Sequence, residues 1–237
     1  MGITRAGSAG PFSLGHRLGR IHESWSPRSA QTGYTLVEVA IVVVIVGLLL
    51  ATILKGQEMV NQAKVKSAIV DFTGTFAAYY GYRDRYHALP GDDPKAGRWA
   101  GATAGNGNGV VAGTYNSSTP GVESRLWWDH VRRAGFVAGS GEQQNLNRLS
   151  GIVGVQFGDA GGGTTLGGFS HLIVCSTTLP DKIAAAVDLQ IDDGNGDAGR
   201  IRALAQTTAQ PVLDATSVPS VYVESGTNVY TICREMP

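Results

Sequence analysis

The chain has 237 residues, with 19 basic and 19 acidic side chains, 16% charged positions and 33 glycines. This length allows one ordinary domain plus an appendage, and the composition reads as a loop-rich, β-leaning body rather than a helical bundle. No Lys/Arg cluster interleaved with aromatics stands out, so no nucleic-acid footprint is expected.

The neutral total hides a step. Residues 1–33 carry Arg5, Arg17, Arg20 and Arg28 against Glu23 alone, whereas the remainder has 15 basic and 18 acidic residues. Residues 1–32 are rich in Gly, Ser and Arg and lack periodicity, so disorder is expected there. From Val39 to Leu54 the run VAIVVVIVGLLLATIL has 16 residues and no charge. With Tyr34 to Val37 it becomes an apolar stretch around a single ionisable group, Glu38. A helix of that length spans about 30 Å, the thickness of a bilayer core. The preceding basic residues predict a cytoplasmic N-terminus and an exported body.

Three readings compete for this stretch. A secretory signal peptide fits poorly, because the run is too long and no A-x-A pattern follows Leu50. A plain signal anchor explains length and orientation but leaves Glu38 idle. Yet a carboxylate inside a membrane helix costs roughly 2.5–3.5 kcal/mol on insertion scales. The third reading gives Glu38 a partner.

Gly33-Tyr34-Thr35-Leu36-Val37-Glu38, followed at once by the apolar run, resembles the processing site of type IV prepilins and pseudopilins. The resemblance covers about 25 residues. It implies that a prepilin peptidase cuts after Gly33 and methylates the new N-terminus at Tyr34, where phenylalanine is more usual. Glu38 then stands fifth and pairs with the Tyr34 amine of a neighbouring subunit. At 4 Å and an effective dielectric near 20, such a pair attracts by about 4 kcal/mol. That attraction offsets burial only when the second subunit is present, so Glu38 would favour assembly and set the axial register. The alternative is a carboxylate that snorkels to the membrane interface.

The resemblance also implies a division into a leader at 1–33, removed on processing, and an apolar membrane and filament-core helix at 34–56. The amphipathic half of the spine helix and a globular head follow at 57–237. The family's leaders are usually shorter than 33 residues; a downstream start codon or a true cytoplasmic tail would each leave the cleavage site in place. Expected partners are the prepilin peptidase, other pilin subunits, the inner-membrane assembly machinery and, before assembly, the lipid bilayer. The expected location is single-pass in a bacterial inner membrane with a periplasmic head, then an extracellular pilus or a periplasmic pseudopilus.

Beyond Leu54, Val65, Ile69, Phe72, Phe76 and Tyr79 recur at helical spacing with polar residues between them. One helix is predicted from about Tyr34 to 85–86, about 78 Å long at 1.5 Å per residue. Gly47 and Gly56 lower its propensity locally. Many pilins carry a proline near the position of Lys55; here any kink would rest on the glycines. Leu89-Pro90-Gly91-Asp92-Asp93-Pro94 breaks the helix, and a glycine-rich stretch runs from Gly101 to Gly113. LPGDDP followed by the GNGNG of residues 105–109 resembles a subset of prepilin-type proteins, with turn formation as the plain reading. A second helix is expected to open at Thr119-Pro120 and stop at Gly135, burying Leu126, Trp127 and Val131. A third fits Pro180 to Gln190. Strands are expected at Ile152–Phe157, Leu172–Cys175, Arg200–Ala205, Val221–Glu224 and Val229–Cys233. This order gives an α+β fold, a long N-terminal helix packed on an antiparallel sheet.

Cys175 and Cys233 have no CxxC partner and no histidine at ligand spacing, so no zinc site is expected. In an exported body a disulfide between them would close a 58-residue loop, worth about 4 kcal/mol in the chain-entropy model. Two unpaired buried thiols are the alternative. Asp193, Asn195 and Asp197 alternate in a glycine-rich loop that could wrap oxygens around Ca²⁺. Ala198 and Leu204 break the EF-hand pattern, however, and an Asx/Gly turn is the competing account.

His87, His130 and His171 are scattered and read as exposed loop histidines. No GxSxG, HExxH or Walker-type loop occurs, and Gly161-Gly162-Gly163 lacks the lysine of a phosphate cradle. Trp127-Trp128 and Tyr79-Tyr80 read as core pairs. No enzyme is expected. The sequence points to a structural subunit, major or minor, of a type IV pilus, with a type II secretion pseudopilin as the alternative. A singly anchored periplasmic binding module that never polymerises is the reading from a different class.

Overall fold

The computed structural model describes residues 33–158 and 166–236; the leader before Gly33 and the run Gly161–Gly163 lie outside the described residues. The chain divides into two compact units, 1–48 and 49–237.

The first unit holds the start of helix α1 (Leu36–Tyr86, 51 residues). Thr35 caps it: the Glu38 N–H donates to Thr35 Oγ1 at 3.2 Å. Thr35 and Glu38 have the Ser/Thr-x-x-Glu spacing of a capping box, and an acidic group in the first turn suits the helix dipole. The side chains of this unit are exposed throughout its described length.

In the second unit α1 turns amphipathic. Val65, Ala68, Phe72, Thr75, Tyr79 and Tyr82 form its buried stripe, at alternating spacings of three and four. Ile69 and Phe76, expected in that stripe, are only partly buried. The small residues Ala68, Thr75 and Ala78 are buried as well. Helix α1 ends where His87 adopts a left-handed φ of 53° and its N–H closes on Arg83 O at 2.9 Å. A 3₁₀ turn follows at Ala96–Arg98.

Helix α2 (Glu123–Arg133) starts later than the Thr119-Pro120 dipeptide suggested. Gly121 has φ +77°, which no right-handed helix accommodates, and its N–H is held by Glu142 Oε2 at 2.9 Å. The helix is buried from Glu123 to Val131, well beyond the expected stripe. Helix α3 (Asp181–Ile191) lies one residue from its expected range.

Among the described residues, five strands form one antiparallel sheet in the order β1-β2-β3-β5-β4. They are β1 (Asn145–Leu146), β2 (Ile152–Phe157), β3 (Leu172–Pro180), β4 (Ile201–Ala205) and β5 (Val229–Met236). Sequence reasoning missed the two-residue β1. Strand β3 continues past Cys175 through an irregularity between Ser176 and Leu179, where Thr178 has φ 62°.

Val221–Glu224, expected as a strand, is not one. The outer edge of β4 is met instead by single contacts: Ala203 N–H donates to Gly196 O at 2.7 Å, and Ser220 N–H donates to Ala203 O at 2.9 Å. Beyond Ser220 the segment is held by side chains, with Tyr222 Oη donating to Asp188 Oδ2 at 2.8 Å and Val223 N–H to Tyr230 Oη at 2.8 Å.

The period of two along the strands sorts their residues into two cores. Val155, Val174 and Ile232 join Phe72, Tyr82, Trp127 and Trp128 in the core that the helices cover. Ile173, Cys175 and Cys233 face the other way, with Tyr115, Leu166, Phe169 and Leu213. Loops cover that second face. Gly154 is required where they cross: a Cβ there would collide with the carbonyl oxygen of Tyr115.

Candidate functional site

Gly33, Tyr34 and Thr35 precede the first turn of α1 and are exposed, Tyr34 at 81%. Nothing lies within 4 Å of the place where a Gly33 side chain would sit. Among the described residues, the 33–34 peptide is exposed and non-helical, immediately before a helix. Three residues into the helix, Glu38 is exposed as well, and its carboxylate enters no hydrogen bond or ion pair among the described residues. It is the first charged side chain of α1, and the next, Lys55, lies beyond the apolar run, paired with Glu58 at 2.7 Å.

Between those charges α1 presents apolar surface on every side. Leu36 is 85% exposed, and Val43, Leu48 and Leu54 are each more than 60% exposed. Among the described residues, α1 is the one helix long and apolar enough to cross a membrane. An exposed apolar surface this continuous needs a partner outside the chain.

In the head, Cys175 and Cys233 face each other across β3 and β5 and form a disulfide, with Cα atoms 4.1 Å apart. Both are fully buried in the smaller core. The bond ties the last strand to its central neighbour and encloses α3, β4 and the long connection to β5.

The Asp193, Asn195 and Asp197 loop is organised differently from a three-residue cradle. Asp193 Oδ1 accepts the Asn195 N–H at 2.9 Å, the bond of an Asx turn. The carboxylates that converge, within 4.8 Å of one another, are Asp188, Asp192 and Asp193. Asp188 comes from buried α3, which the loop pattern gave no means of finding. Asp192 Oδ2 accepts the N–H groups of Arg200 and Ile201. Asp188 accepts from Gly194 N–H and Tyr222 Oη. Burial pushes its carboxyl up to about 6, with the charges of Asp193 and Asp192 adding to that and the two hydrogen bonds opposing it.

The LPGDDP and GNGNG segments clasp one another. Asp92 is buried; its Oδ1 accepts from Gly107 and Asn108 N–H at 2.6 and 3.1 Å, and its Oδ2 from Gly109 N–H at 2.7 Å. Glycine is needed at 105, because a Cβ there would overlap the Asp92 backbone. Asp93 accepts from Tyr82 Oη at 2.6 Å and pairs with Arg98 at 2.8 Å. Burial opposes its ionisation, but those bonds and the Lys95 N–H outweigh burial and hold it below the usual carboxylate value.

His130 corrects the expectation of an exposed loop histidine. It lies in α2, fully buried. Its Nδ1 accepts Gly91 N–H at 2.9 Å, so Nε2, 2.8 Å from Thr103 O, carries the proton. Burial also pushes its pKa down. The clasp is thus a structural plug at the end of α1. Of the aromatic pairs, Trp127, Trp128 and Tyr79 are core, whereas Tyr80 is 44% exposed.

Residues 28–54 match the family described as the prokaryotic N-terminal methylation motif. Among solved structures the chain is similar to that of the major type IV pilin PilA1 from Clostridium difficile. The two share 11% identity over 73% of this chain and 96% of that one, with a TM-score of 0.35. No curated protein matches the chain significantly.

Proposed function

We propose, proceeding from the match of residues 28–54 to the prokaryotic N-terminal methylation motif, that this protein is a structural subunit of a type IV pilus. The single observation that carries the reading is the N-terminal segment itself: an open bond after Gly33, a lone carboxylate at Glu38 and an apolar run exposed on every side. Prepilin peptidase cuts after Gly33 and the new amine of Tyr34 is methylated. The helix rests in the inner membrane with the head in the periplasm, then leaves the bilayer to join the core of a filament of pilin subunits. Filament contacts of this kind are heterologous and non-closing, as an open helical assembly requires.

Glu38 takes the role of register pin. In the bilayer its charge is costly; beside the Tyr34 amine of a neighbouring subunit the cost is offset. The local bond to Thr35 is made by the Glu38 backbone N–H, which leaves the carboxylate for an external partner.

Mass spectrometry of the mature N-terminus, on membrane and sheared-filament fractions from the native host, tests the proposal. A species starting at N-methylated Tyr34 in sheared filaments is expected. The same species confined to the cell envelope would favour a pseudopilin of a type II secretion system. An N-terminus upstream of Gly33, in a host that processes its other prepilins, would leave a simple membrane anchor. Glu38→Ala then isolates the register pin: filaments are lost while membrane insertion persists. Normal filaments from that variant would remove the role assigned to Glu38.

A further inference from the structure

A cavity of about 420 Å³ opens on the head, lined by Phe76 and Tyr80 of α1, Arg234 and Glu235 of β5, and Arg200 just before β4. The Arg234 guanidinium is half-buried and sits 4.5 Å from the centroid of the Phe76 ring, a cation–π contact that fixes its position. Arg200 is exposed. Among the described residues neither guanidinium has an ion pair.

The nearby carboxylates keep their charge but hydrogen-bond to backbone N–H groups and, for Glu235, to the His171 ring rather than to either guanidinium. Glu235 Oε1 accepts the N–H groups of Ser170 and His171 at 3.0 and 2.9 Å, and Asp192 Oδ2 accepts those of Arg200 and Ile201. Burial, then the neighbouring charge of Arg200, push the Arg234 pKa down, and the attraction of Asp192 and Tyr80 offsets this only in part. The fold gains little from keeping two like charges against an apolar wall, so the arrangement calls for an anion.

We propose that Arg200 and Arg234 form an oxyanion-binding site that takes a carboxylate or phosphate group borne on an apolar or aromatic body. The guanidinium fork matches both oxyanions in geometry, and one anion placed between two forks relieves their mutual repulsion. Phe76 and Tyr80 supply the wall for the apolar body, and the cavity falls in the size range of small-molecule sites. A free small anion and a carboxylate on a second copy of this chain share this chemistry. The site does not depend on the pilus reading.

The test uses the full chain in non-ionic detergent micelles, titrated with sodium benzoate, inorganic phosphate and sodium chloride at equal ionic strength. Benzoate and phosphate are expected to raise Tm saturably, and chloride is not. Arg200→Gln, at an exposed position outside regular structure, is expected to weaken both by at least about tenfold. Arg234→Gln is expected to do the same. A wild-type response that chloride reproduces, or an Arg200→Gln response equal to wild type, would overturn the site. Sedimentation separates the sources: dissociation of self-associated chains by benzoate identifies the anion as a second copy's carboxylate, and saturable binding with unchanged mass identifies a free ligand.

Discussion

Between Leu36 and Leu54, α1 exposes every side chain, most of them Val, Ile and Leu; between Val65 and Tyr82 it buries a stripe of Val, Ala, Phe, Thr and Tyr among the head's strands and helices. Both stretches are helical, so local propensity does not distinguish them. What differs is where the apolar surface finds its partner. The second stretch has polar residues interleaved, so one face meets a core and the other meets water. The first has no polar face, so its partner must surround it, as lipid does and as a bundle of identical helices does.

The largest expected effect separates these stretches directly. Phe72→Ala should cost about 3–5 kcal/mol of head stability in a denaturant titration, because it empties a fully buried site. Val43→Ala should leave the same transition unmoved. A shift of similar size for Val43→Ala would break the comparison, since it would mean that the apolar run has a partner within the chain.

A second experiment sharpens the account of the head. Replacing Cys175 and Cys233 together by serine reopens a 58-residue loop, and the chain-entropy model puts the loss at about 4 kcal/mol. Unfolding under non-reducing conditions would measure it. An unchanged midpoint would place the stabilisation of the last strand in β3–β5 pairing and the small core instead.

The smallest expected effect is a pH dependence. The Asp188 carboxyl stands at about 6 in the fold, above its value of about 3.9 in an unfolded chain. Folding therefore favours its protonated form. Its contribution is fully present below about pH 4 and is lost as pH rises through about 6, a change of at most about 3 kcal/mol. Head stability should fall between pH 4 and 7 by more in the native chain than in Asp188→Asn, read as the difference in Tm between the two across that range. Parallel curves would show that Asp188 titrates normally.

The N-terminal segment was legible because its information is local. Gly33, Glu38 and the uncharged run are consecutive, and bilayer thickness converts their length directly into a span. The head was legible in its elements, since four of five strands and all three α-helices follow from periodicity and breakers. It was less so at its joints. Val221–Glu224 alternates as a strand does, yet its valines are exposed and its tyrosine anchors to Asp188. A histidine in a short sequence context gives no sign that a glycine N–H 39 positions away will fill its ring nitrogen.

The sequence by itself determined the long helix, its uncharged run from Val39 to Leu54, the N-terminal motif before that run and the α+β order of the head. Each depends on residues within a few turns or strands of one another. The Cys175–Cys233 pairing expected from the sequence is realised through the β3–β5 register, whereas tertiary structure alone decided that Asp188 and not Asp197 meets Asp192 and Asp193, and that Arg200 and Arg234 share a cavity with Phe76. The cysteine pairing is set by strand register and the cavity joins distant segments, whereas the aspartates meet through the end of α3 and the loop that follows it. A shift of one residue in the β3–β5 register would turn Cys175 away from Cys233.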